Sequence, residues 1–304
     1  MKVIITGGSG LIGRALSKQL ADKGHEVTIL SRNPDRATGL PVGVKVAPWD
    51  ARSSHGWEHL ADGADAIINL AGANLADGRW TAARKREILE SRLNAGRAVV
   101  EAVSKARQKP RVVVQASAVG YYGPRNEGEV TEESAAGNDF PARVCVEWEA
   151  STQAVEAMGV QRIVVRTGVV MSTEGGALPR MALPFKVFAG GPVGTGEQPF
   201  PWIHIEDEAR AIIWLLERGV SGTYNLAGPQ PLSNKEFSSS LGRAMGRPSA
   251  LPVPSFALKA LFGEMSTILL DGQRATPHRL LTEGFEFRYR KAETALRDLL
   301  KAGI

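Results

Sequence analysis

The first two-thirds of the chain alternates short apolar runs with longer segments whose apolar residues recur at helical spacing. The apolar runs predict strands over residues 2–6, 26–31, 44–49, 65–72, 111–117 and 162–170. The segments between them predict helices over 11–24, 80–106 and 140–157. Strands that are apolar on both faces and separated by helices are typical of a parallel sheet covered on both sides. We therefore predict an α/β fold with a Rossmann-like, doubly wound parallel sheet.

The pattern becomes less regular after residue 171. A Gly/Pro-rich loop covers 189–201, a helix with an acidic first turn is predicted over 204–219, and a short strand over 224–228. Prolines divide the remainder into short helical segments that end in a helix over 290–300. We predict a cofactor-binding domain over residues 1–230, with part of a substrate lobe from 171 onward. A small C-terminal domain over 231–304 completes the smaller C-terminal substrate lobe.

The composition narrows the classes of partner. The 304 residues carry a net charge of +5, but acidic and basic residues are interleaved, which favours solvated helix faces over a nucleic-acid or membrane surface. The single cysteine, Cys145, excludes an intrachain disulfide and fits a reducing compartment. The chain shows no signal-peptide pattern and no run of the ~18 apolar residues that a membrane span needs. We predict a cytoplasmic protein with no nucleic-acid or membrane partner and no metal site, and leave the oligomeric state open.

A glycine-rich segment follows the first predicted strand and begins the first predicted helix. Its sequence is ITGGSGLIG (5–13), with Gly7, Gly10 and Gly13 at regular spacing. Glycines in this context allow a tight turn and a close approach of the backbone to a pyrophosphate, which then faces the helix N-terminus. We predict that a dinucleotide contacts every residue of the turn, namely Gly7, Gly8, Ser9, Gly10, Leu11, Ile12 and Gly13.

The end of the second predicted strand indicates which dinucleotide binds. A site for NAD places Asp or Glu here to bind the ribose 2′-hydroxyl, whereas this chain has Ser31 and Arg32. A hydroxyl and a guanidinium suit a 2′-phosphate, because arginine recognises phosphate with paired donors. We predict that Ser31 and Arg32 select NADP(H), and an exposed loop arginine is the alternative.

At this point the chain resembles the extended short-chain dehydrogenase/reductase superfamily. It is more specifically similar to its NAD-dependent epimerase/dehydratase-like "epimerase family" subgroup, whose members carry a C-terminal domain of unknown function. The resemblance covers essentially the whole chain. The segments that carry it are TGGSGLIG (6–13), NLAG (69–72), RW (79–80), SR (91–92), SAVGYYG (117–123), WE (148–149), RTGVV (166–170), GGPVGTGEQPFPWIHIED (190–207) and LDGQRATPHRL (270–280).

The resemblance also implies further contacts with the cofactor. Leu70, Ala71 and Gly72 are expected to lie beside the middle of the cofactor, and Val169 is expected to lie beside its nicotinamide ring. Glu87 and Arg92, on the predicted helix over 80–106, follow with less support. For these two residues, surface charges on an amphipathic helix are the alternative interpretation.

Catalysis is the point at which the chain departs from this superfamily. Members that transfer hydride usually carry a Ser or Thr after the fifth strand and a Tyr-x-x-x-Lys pair on the next helix. The helix in question, FPARVCVEWEA (140–150), contains neither tyrosine nor lysine. Ser117, Tyr121 and Tyr122 are the candidate catalytic residues, with a packing role for the tyrosines as the alternative. A shift of one residue in register would replace Ser117 by Ala118.

The substrate pocket is predicted to be apolar. Relatives that act on nucleotide-sugars tend to have an arginine where this chain has Phe200, which argues against a diphosphate substrate. The residues that could line such a pocket, or instead belong to the core, are aromatic: Trp80, Tyr121, Phe185 and Trp202.

Two functions remain open. The first is an NADP(H)-dependent oxidoreductase or epimerase that acts on a small carbonyl or hydroxyl compound. The second is a non-catalytic NADPH-dependent sensor or scaffold, which the missing Tyr/Lys pair favours. Some members of the subgroup have been labelled cell-division-related, which fits the second class.

Overall fold

The computed structural model describes residues 1–301, apart from the side chain of Asn126. Its strands are β1 (Lys2–Thr6), β2 (Glu26–Ser31), β3 (Lys45–Pro48), β4 (Ala66–Asn69), β5 (Val112–Ala118), β6 (Arg125–Val130), β7 (Gln161–Thr167), β8 (Val169–Met171), β9 (Trp202–His204), β10 (Gly222–Leu226) and β11 (Gln273–Ala275).

The α-helices are α1 (Leu11–Asp22), α2 (Glu58–Ala61), α3 (Ala82–Lys105), α4 (Phe140–Ala150), α5 (Leu178–Lys186), α6 (Ile205–Arg218), α7 (Asn234–Met245), α8 (Ser255–Phe262), α9 (Thr267–Leu270), α10 (His278–Thr282) and α11 (Ala292–Lys301). Short 3-10 helices cover Pro34–Arg36, Val119–Tyr122, Gln153–Met158 and Gly263–Ser266.

Seven parallel strands form the central sheet, in the order β10-β7-β5-β4-β1-β2-β3. This confirms the predicted Rossmann-like α/β fold. The chain order reverses between β1 and β4, so the segments that follow these two strands leave the sheet on opposite sides. A crevice opens at such a switch point, outside the carboxyl ends of the strands.

Side chains alternate between the two faces of each strand, and both faces are covered. One apolar cluster combines Ile5 of β1 and Val114 of β5 with α1 and α6. A second combines their sequence neighbours Ile4 and Val113, which point to the opposite face, with α3. The helices therefore hold the carboxyl ends of the strands in place from both sides.

Several predicted elements are shorter than expected, among them the strand predicted over 65–72, which ends at Asn69, and two of them are shortened for clear local reasons. The strand predicted over 162–170 divides at Gly168, where a Cβ would lie only 2.3 Å from the carbonyl oxygen of Pro201. Beyond this break, β8 pairs with β9 in a separate two-stranded sheet. The helix predicted over 140–157 ends at Ala150, where the Ser151 hydroxyl donates a hydrogen bond to the carbonyl of Trp148.

The C-terminal part packs closely on the rest of the chain. The helix α11 lies against α7, and β11 pairs with β6, which follows β5 in the chain. The boundary after residue 230 stays a prediction. Among residues 1–301, no helix combines the length and the apolar character that crossing a membrane requires.

One ionisable side chain in the core lacks a charged partner. Glu208, in the first turn of α6, is fully buried, and one of its carboxylate oxygens accepts a hydrogen bond from the Thr167 hydroxyl at 2.7 Å. Its other oxygen has no hydrogen-bond partner in the described part of the chain. Burial disfavours the charged form and raises the pKa of Glu208 to about 8, although the Thr167 hydrogen bond opposes the shift.

This carboxyl predicts a pH-dependent loss of stability. In the unfolded chain a Glu has a pKa near ~4.3, so folding takes up a proton between that value and about 8, and stability falls as pH rises through this window. Between pH ~5.5 and ~8 the wild type should lose about 3 kcal/mol more unfolding free energy than Glu208→Gln, measured with urea. The exposed Glu90→Gln is the matched control, and a Glu208→Gln profile parallel to wild type would contradict the interpretation.

Candidate functional site

The glycine-rich turn between β1 and α1 packs directly against the segment that follows β4. Gly7 has a φ of +68°, and a Cβ on it would lie 2.9 Å from the carbonyl carbon of Leu70. A Cβ on Gly13 would lie 2.5 Å from the Cα of Gly8, so the first turn of α1 sits flat against the loop. The two segments bordering the crevice are thus held together by backbone contact, which only glycine allows at these positions.

The N-terminus of α1 is open towards the crevice. The amide of Gly10 donates to the carbonyl of Gly7 at 3.0 Å, and none of the described side chains caps the helix. Its first amide groups and the positive end of its dipole are therefore available to an anion. The Arg14 side chain donates to the carbonyls of Ser9, at 2.8 Å, and Thr38, at 2.6 Å, which ties the turn to the loop after β2.

The end of β2 lies beside this turn, because Thr6 pairs with Leu30 in the register of the sheet. Ser31 is buried, and its hydroxyl accepts a hydrogen bond from the Asn33 amide at 3.2 Å. Arg32 is exposed and makes no hydrogen bond or ion pair with any residue between 1 and 301. Its guanidinium is therefore free to meet an anionic group at the β2 side of the crevice.

A chain of buried polar side chains fixes the loop that carries Leu70, Ala71 and Gly72. The Thr6 hydroxyl donates to Asn69 at 2.7 Å, and the Asn69 amide donates to Gln115 at 2.9 Å. The same Thr6 oxygen accepts a hydrogen bond from the Ala71 amide at 3.3 Å. The three polar side chains are fully buried, so the loop is held by hydrogen bonds that water does not weaken.

Arg92 lies directly beneath Gly72. A Cβ on Gly72 would lie 3.0 Å from the Arg92 guanidinium carbon, and the guanidinium donates to the carbonyls of Ala73 and Ile88, both at 2.9 Å. Burial, only partly offset by Cys145, lowers the pKa of Arg92 to about 10. Glu87, in contrast, is exposed and pairs with Arg84 at 2.6 Å. Of the two α3 residues, only Arg92 supports the loop.

Ser117, near the end of β5, belongs to a buried ion-pair network. Its hydroxyl donates to the Glu149 carboxylate at 2.6 Å, and Glu149 accepts two hydrogen bonds from Arg166, at 2.9 and 3.0 Å. Burial opposes the charge of Arg166, but the hydrogen bonds and charge of Glu149 outweigh it and raise the pKa of this arginine. The network links β5, α4 and β7, and it uses the Ser117 proton.

The two candidate tyrosines have different surroundings. Tyr122 is buried, its hydroxyl donates to Asn225 at 2.6 Å and accepts a hydrogen bond from Arg166 at 3.1 Å, and burial raises its pKa. Tyr121 is half-buried, and the Arg166 guanidinium carbon lies 3.4 Å from the centre of its ring. No residue of the described chain hydrogen-bonds the Tyr121 hydroxyl, so this is the tyrosine that a substrate can reach.

The face of α4 that packs against the end of β5 carries neither tyrosine nor lysine. Pro141, Cys145 and Glu149 recur there at intervals of four residues. A Cβ on Gly120 would lie 3.5 Å from Pro141 and 4.0 Å from the Cys145 sulfur. Burial raises the pKa of the Cys145 thiol to about 11, and the charge of Glu149 adds to the shift, so the thiol is protonated at neutral pH.

The predicted aromatic pocket is mostly core. Trp80, Phe185 and Trp202 are buried, and the ring of Phe200 packs 4.4 Å from that of Phe237. His204 is also buried and caps α6, accepting a hydrogen bond from the Glu206 amide. Val169 is half-buried, with its amide bonded to the carbonyl of Pro201 at 2.6 Å. Among the aromatic residues proposed for the pocket, only Tyr121 remains accessible.

Comparison with known proteins places this geometry in a family. A family model described as "NAD dependent epimerase/dehydratase family" matches residues 3–227. A second model, described as "Domain of unknown function (DUF1731)", matches residues 253–299. The chain belongs to the NAD dependent epimerase/dehydratase family. This confirms the resemblance seen in the sequence, including the C-terminal domain.

Relatives of this epimerase family cover the whole chain. "Epimerase family protein YfhF" of Bacillus subtilis is 41% identical over 302 residues, covering 99% of this chain and 98% of the relative. The crystal structure of human epimerase family protein SDR39U1 with NADPH has a TM-score of 0.87 at 35% identity, covering 99% of both chains. Thermus thermophilus UDP-glucose 4-epimerase shares the fold, with a TM-score of 0.75 at 20% identity over all of both chains.

The fold brings most of the predicted site residues to the carboxyl edge of the sheet, where they border one crevice. Their roles in cofactor binding and catalysis stay predictions. Sequence reasoning missed Arg14, Glu149 and Arg166, which organise this edge. The sequence does contain a signal for Arg166. It lies in the middle of the apolar run RIVVRTGVV (162–170), where a buried charge needs a partner.

The ion-pair network predicts an asymmetric response to mutation. Glu149→Ala should lower the unfolding free energy by about 3–5 kcal/mol, because it leaves Arg166 buried without a counter-charge. Glu147→Ala removes the same side chain from the exposed side of α4 and should cost less than about 0.5 kcal/mol. Urea unfolding measures both, and equal losses would show that Arg166 does not depend on Glu149.

Proposed function

We propose that this protein binds NADP(H) in the crevice between the glycine turn and the loop over 70–72. In this proposal it acts as an oxidoreductase or epimerase on a small carbonyl or hydroxyl compound. The observation that carries the proposal is the uncapped N-terminus of α1, next to an exposed and unpaired Arg32. The NADPH named with the human structure supports the same cofactor.

The residues present suit such a cofactor. The pyrophosphate would meet the amide groups at the start of α1, with no side chain at Gly7 or Gly13 to keep it away. Arg32 would bind the 2′-phosphate, and the C-terminal end of β2 lacks the acidic residue that would repel it. Leu70, Ala71 and Gly72 would border the middle of the cofactor, on a loop that Arg92 supports from below.

Bound NADP(H) would donate or accept the hydride, and the chain itself must handle the proton. Tyr121 is the best placed group, because its hydroxyl is unpaired within the described residues and its ring stacks on Arg166. Ser117 and Tyr122 have already committed their protons to Glu149 and Asn225.

The substrate in this proposal is not a nucleotide-sugar. Phe200 replaces the arginine that would hold a diphosphate, and its ring packs against Phe237. A small and mainly apolar carbonyl compound is consistent with the half-buried Tyr121.

A second candidate is a non-catalytic NADPH sensor or scaffold. It is favoured by one observation, namely that α4, the helix expected to carry a Tyr/Lys pair, contains neither residue. In that case, the bound cofactor would stabilise a conformation that a partner protein recognises.

Arg32→Ala tests the choice of cofactor. Loss of a charge-assisted contact with the 2′-phosphate should weaken NADPH binding by about 10–100-fold and leave NADH binding unchanged. Fluorescence titration measures both affinities. Arg107→Ala, which removes an exposed arginine beyond α3, is the control and should bind both cofactors as the wild type does. An equal loss for both cofactors would refute the role of Arg32.

Tyr121→Phe separates the two functions. If the protein is an oxidoreductase, this variant should bind NADPH normally but oxidise it at least ~100-fold more slowly with any carbonyl that the wild type reduces. Absorbance of NADPH across a broad carbonyl panel measures the rate. Unchanged turnover by Tyr121→Phe would exclude Tyr121 as the acid, and no turnover by the wild type would favour the sensor.

A further inference from the structure

The C-terminal domain places one segment across the carboxyl edge of the sheet. This segment, residues 253–272, contains α8 and α9 and is called the strap below. It starts at Val253, whose amide donates to the carbonyl of Pro192 at 2.8 Å. It ends at Gly272, whose carbonyl accepts a hydrogen bond from the Arg125 amide at 2.8 Å. Gly272 also packs so closely on Pro199 that a Cβ would lie 2.0 Å from its carbonyl oxygen.

The middle of the strap is attached to the opposite side of the edge. Arg79 donates to the carbonyl of Leu261 at 2.8 Å and to that of Ala260, at the C-terminal end of α8. A cation there satisfies free carbonyls and complements the helix dipole. Lys85, in the first turn of α3, pairs with Glu264 at 2.6 Å. We call Arg79 and Lys85 the latch.

Apolar contact adds to the latch but is limited. Met265 is buried in a cluster with Trp80, Ile88 and Val144, and the Trp80 ring packs edge-on against Phe140. In α8 only Leu258 is buried, whereas Phe256 is 74% exposed and Leu261 is 62% exposed. A segment with so few buried contacts has low local stability, so the latch contributes a large part of its attachment.

The latch is continuous with the loop predicted to contact the cofactor. Ala73, next to Gly72, donates to the Ser91 hydroxyl at 3.0 Å and accepts from Arg92 at 2.9 Å. Farther along, the Trp80 indole donates to the carbonyl of Leu75 at 2.9 Å. The segment from Gly72 to Trp80 is therefore fixed on α3, and it joins the cofactor loop to the latch.

We propose that the strap is a closing element for the crevice and that Arg79 and Lys85 hold it shut. It runs from anchors on the chain after β5, at Arg125, and after β8, at Pro192, to the segment after β4, which pairs with β5 in the sheet. Closure excludes water from the reacting groups and slows the release of a bound ligand. The proposal rests on the proposed binding of NADP(H), and it gives the C-terminal domain a role in that site.

A charge exchange across the Lys85–Glu264 pair tests the latch without any cofactor. Lys85→Glu or Glu264→Lys alone should raise the hydrogen-exchange rates of the α8 amides about fivefold, since each opposes like charges. The double variant restores opposite charges and should return within about twofold of wild type. Arg86→Glu, the adjacent exposed residue on α3, is the matched control and should leave these amides unchanged.

Release of NADPH tests closure of the crevice. In a chase experiment, each single variant should release NADPH about fivefold faster, with the double variant near wild type. Hydrogen exchange that stays unchanged in the single variants, or that the double variant does not restore, would overturn the latch. Faster exchange with unchanged release would overturn the closing role. If the wild type binds no NADPH, the proposed function fails, and the exchange result alone decides the latch.

Discussion

Buried polar side chains on one face of the parallel sheet organise the carboxyl edge of this protein. In most parallel sheets both faces are filled with apolar residues, because buried polar groups are costly unless each finds a partner. Here Thr6, Asn69 and Gln115 form a chain of hydrogen bonds, and Ser117, Glu149, Arg166, Tyr122 and Asn225 continue the row as a second network. Because these bonds are shielded from water, they fix the loops that border the crevice in one arrangement.

This row consists of two networks that hold different parts of the carboxyl edge. The Thr6–Asn69–Gln115 chain holds the loop over 70–72, next to a glycine turn that allows close contact with an anion. The second network lies at the ends of β5 and β7, where the hydroxyl groups of Ser117 and Tyr122 donate to Glu149 and Asn225. Tyr121 remains outside these hydrogen bonds but contacts the same arginine. Arg166 therefore connects the buried network to Tyr121, and its loss would affect the surroundings of both tyrosines.

Periodicity predicts the parallel sheet well, because each strand is a short apolar run and each covering helix repeats at its own spacing. The glycine turn is also predictable from the sequence, because its backbone geometry allows little other than glycine at those positions. It does not predict the break at Gly168 or the burial of Trp80, Phe185 and Trp202, which depend on segments distant in the chain, such as Pro201 and Met265. The pairing of Glu149 with Arg166 is likewise a tertiary contact, which local sequence patterns do not predict. The sequence shows only that Arg166 is a charge within an apolar strand and therefore needs a partner.

The central claim is that the crevice binds NADP(H) through its 2′-phosphate at Arg32. Phosphorus NMR of the bound cofactor tests this most directly, because a phosphate monoester ordinarily loses its second proton near pH ~6. Contact with a guanidinium favours the dianion, so the bound 2′-phosphate should titrate at least about one pH unit lower than in free NADPH. A bound 2′-phosphate that titrates as in free NADPH, or a cofactor that does not bind, would contradict the account.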